Sequence, residues 1–416
     1  MALLVLAAGA PASATAREAQ GEPKVDAAAW LLIDLRDGHR LAARKPASQR
    51  SIASTTKLMT TYLAMRDLSM DDKLEVPPYS PAPAESVAGL TTGEKLTVGD
   101  LITAMMLPSA NDAAFTVAVG VAGSEGAFVG EMNRAAKDLG LENTSYSNPI
   151  GLDDVGNYSS AEDLAALSSV LLEDKRFRHI VSQPEATLES GAMPRTVVTR
   201  NTLMLSDPTV DGVKTGHTID AGYVLVASAK RKGVPLLSVV LGAPSEAERD
   251  AASEELLDYG YSLYREREPF ADGDELASAD VRYRDDPLAL VADGTVGARI
   301  RGDQQLDTRV DSPTEVEGPI EQGEELGHVT VLLDGKPIGR VPLIAAADVS
   351  APSVIDKAGG TRAVVAVAIG LIVILLLVAW VLRRRSDERR KGRSAEERMR
   401  SLEERDRRRN SIGGEE

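Results

Sequence analysis

The sequence contains no cysteine and only four histidines among its 416 residues. The absence of cysteine excludes disulfide bonds, thiolate catalysis and cysteine-ligated metal sites, and it leaves the cellular compartment open. The histidines lie far apart and form no H-x-x-H or H-E-x-x-H pair: His39, His179, His217 and His328. A metal site built on them is therefore not expected.

Basic residues are also in deficit, with 47 lysines and arginines against 63 aspartates and glutamates. The formal net charge is −16, but the segment from Arg383 to the end holds 13 basic and 9 acidic residues, a net of +4. The rest of the chain therefore carries −20. An acidic body of this kind argues against nucleic acid as a partner.

A long apolar run without charge, residues 363–382, lies near the C-terminus. About twenty apolar residues can span the hydrocarbon core of a membrane as a helix. The basic groups Arg383–Arg385 and Arg389–Lys391 follow at once, and by the positive-inside rule such a flank is cytoplasmic. We therefore expect a single transmembrane helix that anchors an extracytoplasmic body to the cell membrane and leaves residues 383–416 as a charged cytoplasmic tail.

A shorter apolar run, from Ala2 to Pro11, opens the chain and is too short to span a bilayer. Small residues follow it, as they do before the A-x-A cleavage site of a secretory signal. No basic residue precedes the run, which departs from the usual signal pattern. We expect residues 1–24 to be a signal-like segment of an exported protein and leave open whether it is cleaved.

The body, residues 25–265, changes from strand patterns to helix patterns and back. A strand at Trp30–Leu35 precedes the hairpin signal Asp37-Gly38. Strands return from Thr196, and a capped helix closes the region from Ser245. Apolar periodicity predicts these helices: Ser54–Met65, Val98–Met106, Ala113–Val121, Glu125–Leu139 and Ser160–Glu173. This order indicates an α+β fold in which helices flank an antiparallel sheet.

The next region, residues 275–350, consists of short strand patterns separated by turns, including the hairpin signal Asp334-Gly335. It contains no candidate active-site residue. We predict a small β-rich domain here, with residues 351–362 as the linker to the transmembrane helix.

Three short motifs carry the candidate chemistry: Ser54-x-x-Lys57, Ser109-x-Asn111 and Lys214-Thr215-Gly216. A serine and a lysine three residues apart share one face of a helix, so the amine can reach the hydroxyl. A serine at a helix N-terminus also has free N–H groups beside it, which suits a nucleophile whose attack creates an oxyanion. The three motifs together are typical of penicillin-interacting serine enzymes.

The residues around these motifs resemble the D-alanyl-D-alanine carboxypeptidases, the low-molecular-mass penicillin-binding proteins of bacterial cell-wall maturation. The similar stretches are Ser51–Thr60, Pro108–Ala113, Asn148–Leu152, Tyr158–Leu164, Asp211–Thr218, Gly318–Ile320 and Leu333–Gly339. The resemblance implies a β-lactamase/transpeptidase-like catalytic domain followed by the family's small C-terminal domain.

The resemblance also implies a role for each motif residue. Ser54 would attack the carbonyl between two D-alanines, Lys57 would act as general base, and Ser109 would relay protons. The substrate-binding residues would be Asn111, Lys214, Thr215, Gly216, His217 and Arg200. Among these, the backbone N–H of His217 would join that of Ser54 in the oxyanion hole, and Arg200 would lie near the substrate carboxylate.

Two departures from related enzymes affect the interpretation. Ile150 stands where many relatives have histidine. Ala110 stands where class A β-lactamases have aspartate, and no E-x-x-L-N motif supplies their deacylating glutamate. These features disfavour a β-lactamase without eliminating it.

The sequence thus predicts a membrane-anchored serine D-Ala-D-Ala carboxypeptidase that acts on peptidoglycan stem peptides, binds β-lactam antibiotics and needs no metal or organic cofactor. Three alternatives stay open: a D,D-endopeptidase, a β-lactamase, and a catalytically inactive cell-wall scaffold that retains the fold.

Overall fold

The computed structural model describes residues 23–357 and 360–410, which divide into two compact units. The first unit ends at Arg267 and also takes in Ala298–Gln304. The second holds Glu268–Gly297 and the chain from Gln305 onward. The predicted signal-like segment, except for its last two residues, and the end of the predicted tail lie outside the described residues.

Both units contain antiparallel strands, and the helices of the first unit lie mainly in the insert between its first and last long strands. The strands are β1 (Ala29–Asp34), β2 (Arg40–Arg44), β3 (Arg50–Ser51), β4 (Lys73–Glu75), β5 (Lys95–Thr97), β6 (Tyr158–Ser159), β7 (Glu185–Leu188), β8 (Arg195–Val198), β9 (Val210–Thr218), β10 (Gly222–Arg231), β11 (Val234–Ala243), β12 (Arg265–Arg267), β13 (Glu275–Val281), β14 (Leu288–Ala292), β15 (Ala298–Ile300), β16 (Leu306–Asp311), β17 (Glu315–Val316), β18 (Glu325–Leu333) and β19 (Lys336–Ala345). The helices are α1 (Lys57–Asp67), α2 (Val98–Met106), α3 (Asn111–Ala122), α4 (Glu125–Asp138), α5 (Ala161–Glu173), α6 (Lys175–Val181), α7 (Thr202–Ser206), α8 (Glu246–Ser262), α9 (Val354–Lys357) and α10 (Gly360–Asn410).

The first unit is organised around a five-stranded antiparallel sheet with the order β2-β1-β11-β10-β9. Successive side chains on a strand point to opposite faces, so each buried strand supplies two cores. On β1, Leu31 joins the core formed with the helical insert, whereas Leu32 joins the core formed with α8. The sheet is therefore covered by helices on both faces, which confirms the predicted α+β plan.

The predicted helices are confirmed, with one local difference at Ser54. The chain there forms a 3₁₀ turn, Ala53–Thr56, before α1 begins at Lys57. The short helices α6 and α7 and most of the two- to four-residue strands were not predicted, because segments of that length carry little periodicity.

The segment Ala298–Gln304 packs with the first unit although its sequence position is inside the predicted β-rich domain. Arg301 is buried and its guanidinium contacts Asp34 at 2.6 Å, Asp37 at 2.7 Å and Asp303 at 3.0 Å. The hydroxyl of Tyr264 also donates to Asp34, at 2.6 Å. A buried carboxylate at the end of β1 is thus held by groups from two distant parts of the chain.

Replacing Arg301 by methionine should lower the free energy of unfolding of the first unit by about 3 kcal/mol, because it removes a partner from a buried ion pair. Differential scanning calorimetry of the full chain would measure the loss. The matched change Arg134→Met breaks an exposed ion pair on α4 and should cost less than about 1 kcal/mol. Equal effects of the two changes would contradict the importance assigned to the Arg301 network.

The second unit is built on a six-stranded sheet with the order β16-β18-β19-β14-β13-β17. Its alternating apolar residues form a separate core that includes Leu290, Val329 and Leu343, all fully buried. This sheet confirms the β-rich character predicted for the region. Among the described residues it contributes no side chain to the three motifs.

The predicted transmembrane segment lies in the first half of α10, which continues without a break to Asn410. Within the described part of the chain, one unbent helical stretch, Arg362–Glu388, is long and apolar enough to cross a membrane, and none of it is buried in the structure.

Candidate active site

The centre of the candidate site is the 3₁₀ turn that carries Ser54. In a 3₁₀ turn residues three apart eclipse each other, which brings Lys57 onto the side of Ser54. The Lys57 Nζ donates to Ser54 Oγ at 2.9 Å. Ala53, immediately before the serine, has φ of 47°, a left-handed conformation that non-glycine residues rarely adopt. Strained backbone of this kind clusters at functional sites, and here it precedes the predicted nucleophile.

A loop that starts at Asn148 covers the amine of Lys57. The Ile150 carbonyl accepts a second hydrogen bond from Lys57 Nζ, at 2.6 Å. Asn148 Oδ1 fixes this loop by accepting from the N–H groups of Ile150, Gly151 and Leu152. Because residue 150 touches Lys57 through its backbone, the presence of isoleucine in place of histidine leaves this contact intact.

At Gly151, where φ is 92°, the same loop packs closely against the 3₁₀ turn that carries Ser54. A Cβ atom at this position would lie 2.1 Å from the Ala53 carbonyl oxygen. Only glycine fits such a close approach.

Ser109 and Lys214 form the second hydrogen-bonded pair of the site. Ser109 lies between α2 and α3 with φ of 67°. Its Oγ accepts from Lys214 Nζ at 2.9 Å, and the same amine donates to the Thr215 carbonyl at 2.8 Å. Lys214 is 1% exposed, although it lies on β9, the edge strand of the sheet.

At Gly216, in the third motif, strand β9 packs closely against the 3₁₀ turn that carries Ser54. A Cβ atom at Gly216 would lie 3.0 Å from the Ala53 Cβ and 3.1 Å from the Ser54 nitrogen. The ring of His217 stacks on that of Tyr223, with the ring centres 4.1 Å apart. The motifs on three separate elements therefore meet around one serine.

The two buried lysines have strongly perturbed pKa values. The pKa of Lys57 is lowered to about 7, chiefly by burial; the charges of Glu85 and Asp112 oppose this lowering, and the charge of Arg200 adds to it. Burial also lowers the pKa of Lys214 well below its usual value, and the charges of Lys57, Arg200 and Arg249 act in the same direction. Lys57 is therefore poised to exchange a proton near neutral pH.

Arg200 lies at the edge of this arrangement. Its backbone N–H donates to the Leu107 carbonyl at 3.1 Å, and its side chain is exposed. Its charge acts on both Lys57 and Lys214. An exposed cation beside two buried amines gives the site positive potential at its solvent side.

Asn111, the first residue of α3, is held from both its backbone and its side chain. Its N–H donates to the Ser86 carbonyl at 2.7 Å, and its Nδ2 donates to Glu85 at 2.8 Å. Glu85 could not be predicted from the sequence, because an acidic residue in an irregular, proline-rich stretch has no periodicity or spacing that marks it. Within residues 23–357 and 360–410, no three histidine, aspartate or glutamate side chains are grouped to hold a metal ion.

Two family models match successive parts of the chain. Residues 15–245 match the family model described as D-alanyl-D-alanine carboxypeptidase. Residues 264–351 match the model described as penicillin-binding protein 5, C-terminal domain.

Individual relatives match over most of the chain. The D-alanyl-D-alanine carboxypeptidase DacC of Escherichia coli strain K12 is 34% identical over 80% of this chain and 87% of its own length. The carboxypeptidase DacF of Bacillus subtilis strain 168 is 31% identical over 78% of this chain and 86% of its own.

Solved structures of penicillin-binding proteins and DD-peptidases also align with this chain. Penicillin-binding protein 5 from Haemophilus influenzae aligns with a TM-score of 0.56 and 30% identity, covering 80% of this chain and 99% of that structure. The Streptomyces K15 DD-transpeptidase aligns with a TM-score of 0.56 and 30% identity, covering 59% of this chain and all of the other. The family model alone matches more than half of the chain. The chain therefore belongs to the D-alanyl-D-alanine carboxypeptidase family, the serine-type carboxypeptidase hydrolases among the low-molecular-mass penicillin-binding proteins.

Proposed function

We propose that this protein removes the terminal D-alanine from peptidoglycan pentapeptide stems through an acyl-enzyme on Ser54, and that β-lactam antibiotics acylate the same serine. The observation that carries the proposal is the pairing of Ser54 with a buried lysine whose pKa is about 7. A serine hydroxyl is a weak nucleophile until a neighbouring base takes its proton. Lys57 in its neutral form is such a base at physiological pH.

In the acylation step, Ser54 Oγ attacks the carbonyl carbon of the penultimate D-alanine while its proton passes to Lys57 Nζ. The carbonyl oxygen becomes an oxyanion, for which the backbone N–H groups of Ser54 and His217 are the candidate donors. Collapse of this intermediate breaks the peptide bond. The leaving amine of D-alanine needs a proton, and Ser109, bonded to Lys214, is the group proposed to relay it.

Water then attacks the ester carbonyl of the acyl-enzyme and gives its proton to Lys57 Nζ. The bond between the carbonyl carbon and Ser54 Oγ breaks, Oγ takes the proton back from Lys57, and the shortened stem is released with a new terminal carboxyl group. Lys214 and Thr215 would bind the terminal carboxylate as hydrogen-bond donors, and Arg200 would bind it through positive charge. Asn111 would offer its amide to the substrate backbone. None of these steps requires a metal or organic cofactor.

We further propose that the protein is anchored in the cytoplasmic membrane by α10, with residues 25–350 outside the cytoplasm. The apolar stretch Arg362–Glu388 supports this placement. The basic residues that follow Leu382 support a cytoplasmic tail. The substrate would then be peptidoglycan at the outer face of that membrane.

The function is tested by incubating the full chain, in detergent micelles, with muropeptides that carry free pentapeptide stems and with cross-linked muropeptides. Mass spectrometry should show the loss of one alanine from the free stems. Cleavage of the cross-linked muropeptides without loss of alanine from the free stems would show that the protein is an endopeptidase and not a carboxypeptidase. No turnover of either substrate would contradict the proposed activity and favour the scaffold or the β-lactamase.

Replacing Arg200 by alanine should raise the KM for a D-alanyl-D-alanine peptide about tenfold, because it removes a cation that faces the substrate carboxylate. The change Arg200→Lys should retain most of the binding, since the charge remains. Steady-state kinetics would measure both. The exposed Arg134 on α4 is a control, and Arg134→Ala should leave KM unchanged. An unchanged KM in Arg200→Ala would show that Arg200 does not bind the substrate carboxylate.

A further inference from the structure

Glu85, which no motif marks, lies against Asn111 in the irregular stretch between β4 and β5. Its Oε2 accepts from Asn111 Nδ2 at 2.8 Å and also from the hydroxyl of Tyr79. Its Oε1 accepts from the N–H of Ala82 at 2.9 Å. Both oxygens of this carboxylate are therefore engaged, one of them by a residue of the Ser109-x-Asn111 motif.

The stretch that carries Glu85 is seated on α3 by several other contacts. The carboxylate of Asp112 accepts from the N–H groups of Ala88 and Leu90, both at 3.0 Å. The rings of Tyr79 and Phe115 pack with their centres 5.1 Å apart. These contacts hold the stretch independently of the bond between Glu85 and Asn111, so a change at Glu85 leaves most of its anchoring in place.

The bond between Glu85 and Asn111 selects one orientation of the Asn111 amide. An ionised carboxylate only accepts hydrogen bonds, so the nitrogen of the amide has to face it. The amide oxygen and the second N–H of Asn111 then remain for other partners. Without Glu85, the two flipped orientations of this amide would differ less in energy.

Glu85 also contributes a negative charge to the surroundings of Lys57. The other charged groups that act on Lys57 are Asp112, of the same sign as Glu85, and the cation Arg200. The amine of Lys214, whose pKa is lowered chiefly by burial, shares these surroundings. Burial is the largest cause of the lowered pKa of Lys57, and Glu85 is the first of the groups that oppose the lowering. The hydrogen bonds from Tyr79 and Asn111 keep the pKa of Glu85 itself low in spite of its burial, so the charge is present at neutral pH.

We propose that Glu85 is a positioning residue of this active site, which holds the Asn111 amide in one orientation and keeps a fixed negative charge near Lys57. The inference rests on the proposed function, since it gives Glu85 a part in the same acylation. A role as a general base for deacylation fits less well, because both carboxylate oxygens already accept hydrogen bonds and the lowered pKa of Glu85 makes it a weak base.

The test uses the full chain in detergent micelles and three substitutions that separate charge from orientation. Glu85→Gln removes the charge but keeps a carbonyl oxygen that can accept from Asn111. Glu85→Ala removes both, and Tyr79→Phe removes one donor but keeps the charge. Glu75→Gln, at an exposed glutamate on β4, is the matched control. For each variant, kcat and KM on a D-alanyl-D-alanine pentapeptide are measured against pH, together with the rates of acylation and deacylation by a β-lactam.

We expect the acidic limb of kcat/KM to move to lower pH in both Glu85 variants, because loss of the anion makes the ammonium form of Lys57 less stable. At alkaline pH, Glu85→Gln should stay within about fivefold of the wild type, whereas Glu85→Ala should fall about tenfold through the lost Asn111 contact. In Tyr79→Phe and Glu75→Gln, the acidic limb of kcat/KM should lie at the same pH as in the wild type. Thermal unfolding shows that each variant is folded.

Two outcomes would overturn the inference while the proposed function stands. The first is an active wild type with both Glu85 variants unchanged in pH profile and kcat/KM. The second is a Glu85→Gln enzyme that acylates at the wild-type rate but no longer deacylates, which would make Glu85 a base. A folded wild type that neither turns over the peptide nor reacts with the β-lactam would overturn the proposed function and this inference with it.

Discussion

Replacing Ser54 by alanine should abolish carboxypeptidase turnover, with a loss in kcat on the order of 10⁶-fold, the size seen when the nucleophile of a serine peptidase is removed. The substitution deletes the only atom proposed to bond covalently to the substrate. It also deletes one hydrogen bond, from Lys57, which costs about 1 kcal/mol of stability. The protein should therefore remain folded while it loses activity.

The measurement for Ser54→Ala is the release of D-alanine from a pentapeptide, with calorimetry to verify the fold. Ser182→Ala is the matched control, because it removes the same hydroxyl from an exposed position at the end of α6. It should retain full activity. Residual turnover above about 1% of wild type in Ser54→Ala would show that another group, or a directly activated water, attacks the substrate.

Replacing Lys57 by methionine should lower the rate of acylation by a factor of about 10²–10⁴, the usual contribution of a general base. Methionine fills similar space without an amine, so Ser54 keeps its surroundings and loses its proton acceptor. Stopped-flow acylation by a β-lactam measures this rate directly. Lys73→Met changes an exposed lysine on β4 and should have no effect.

The pH dependence of kcat/KM in the wild type provides a second test of Lys57 as the general base. Its pKa is lowered to about 7, so the neutral, basic form predominates above pH 7 and is lost below it. We expect kcat/KM to rise with pH through about 7 and to fall by about tenfold for each pH unit below. A limb near the ordinary lysine value of 10.5 would show that Lys57 stays charged at neutral pH and cannot be the base there.

Much of the catalytic arrangement could be predicted from the sequence because its parts are local or belong to recognisable motifs. The spacing of Ser54 and Lys57 alone predicts their contact, and helix α2 has the predicted bounds, Val98–Met106. The pairing of Ser109 with Lys214, which are 105 residues apart, was accessible only through the family resemblance.

Other parts could not be predicted, because they depend on backbone contacts or on distant pairs without a motif. Ile150 reaches Lys57 through a carbonyl group, and a carbonyl group is present at every residue. Arg301 pairs with Asp34 across 267 residues, and nothing in the short strand pattern around it distinguishes it from its neighbours. Glu85 acts through a loop whose path is set by Asp112, a residue outside the three motifs.

The most direct test of this account is the site of covalent modification. The full chain is incubated with benzylpenicillin and the reaction is quenched in acid. The mass of the intact protein is then measured, and the modified residue is located by peptide mass spectrometry. We predict a single adduct with the mass of the whole antibiotic, bound to Ser54 and absent from Ser54→Ala. An adduct on another residue, or no adduct on a protein that still releases D-alanine from pentapeptides, would contradict the assignment of Ser54 as the nucleophile.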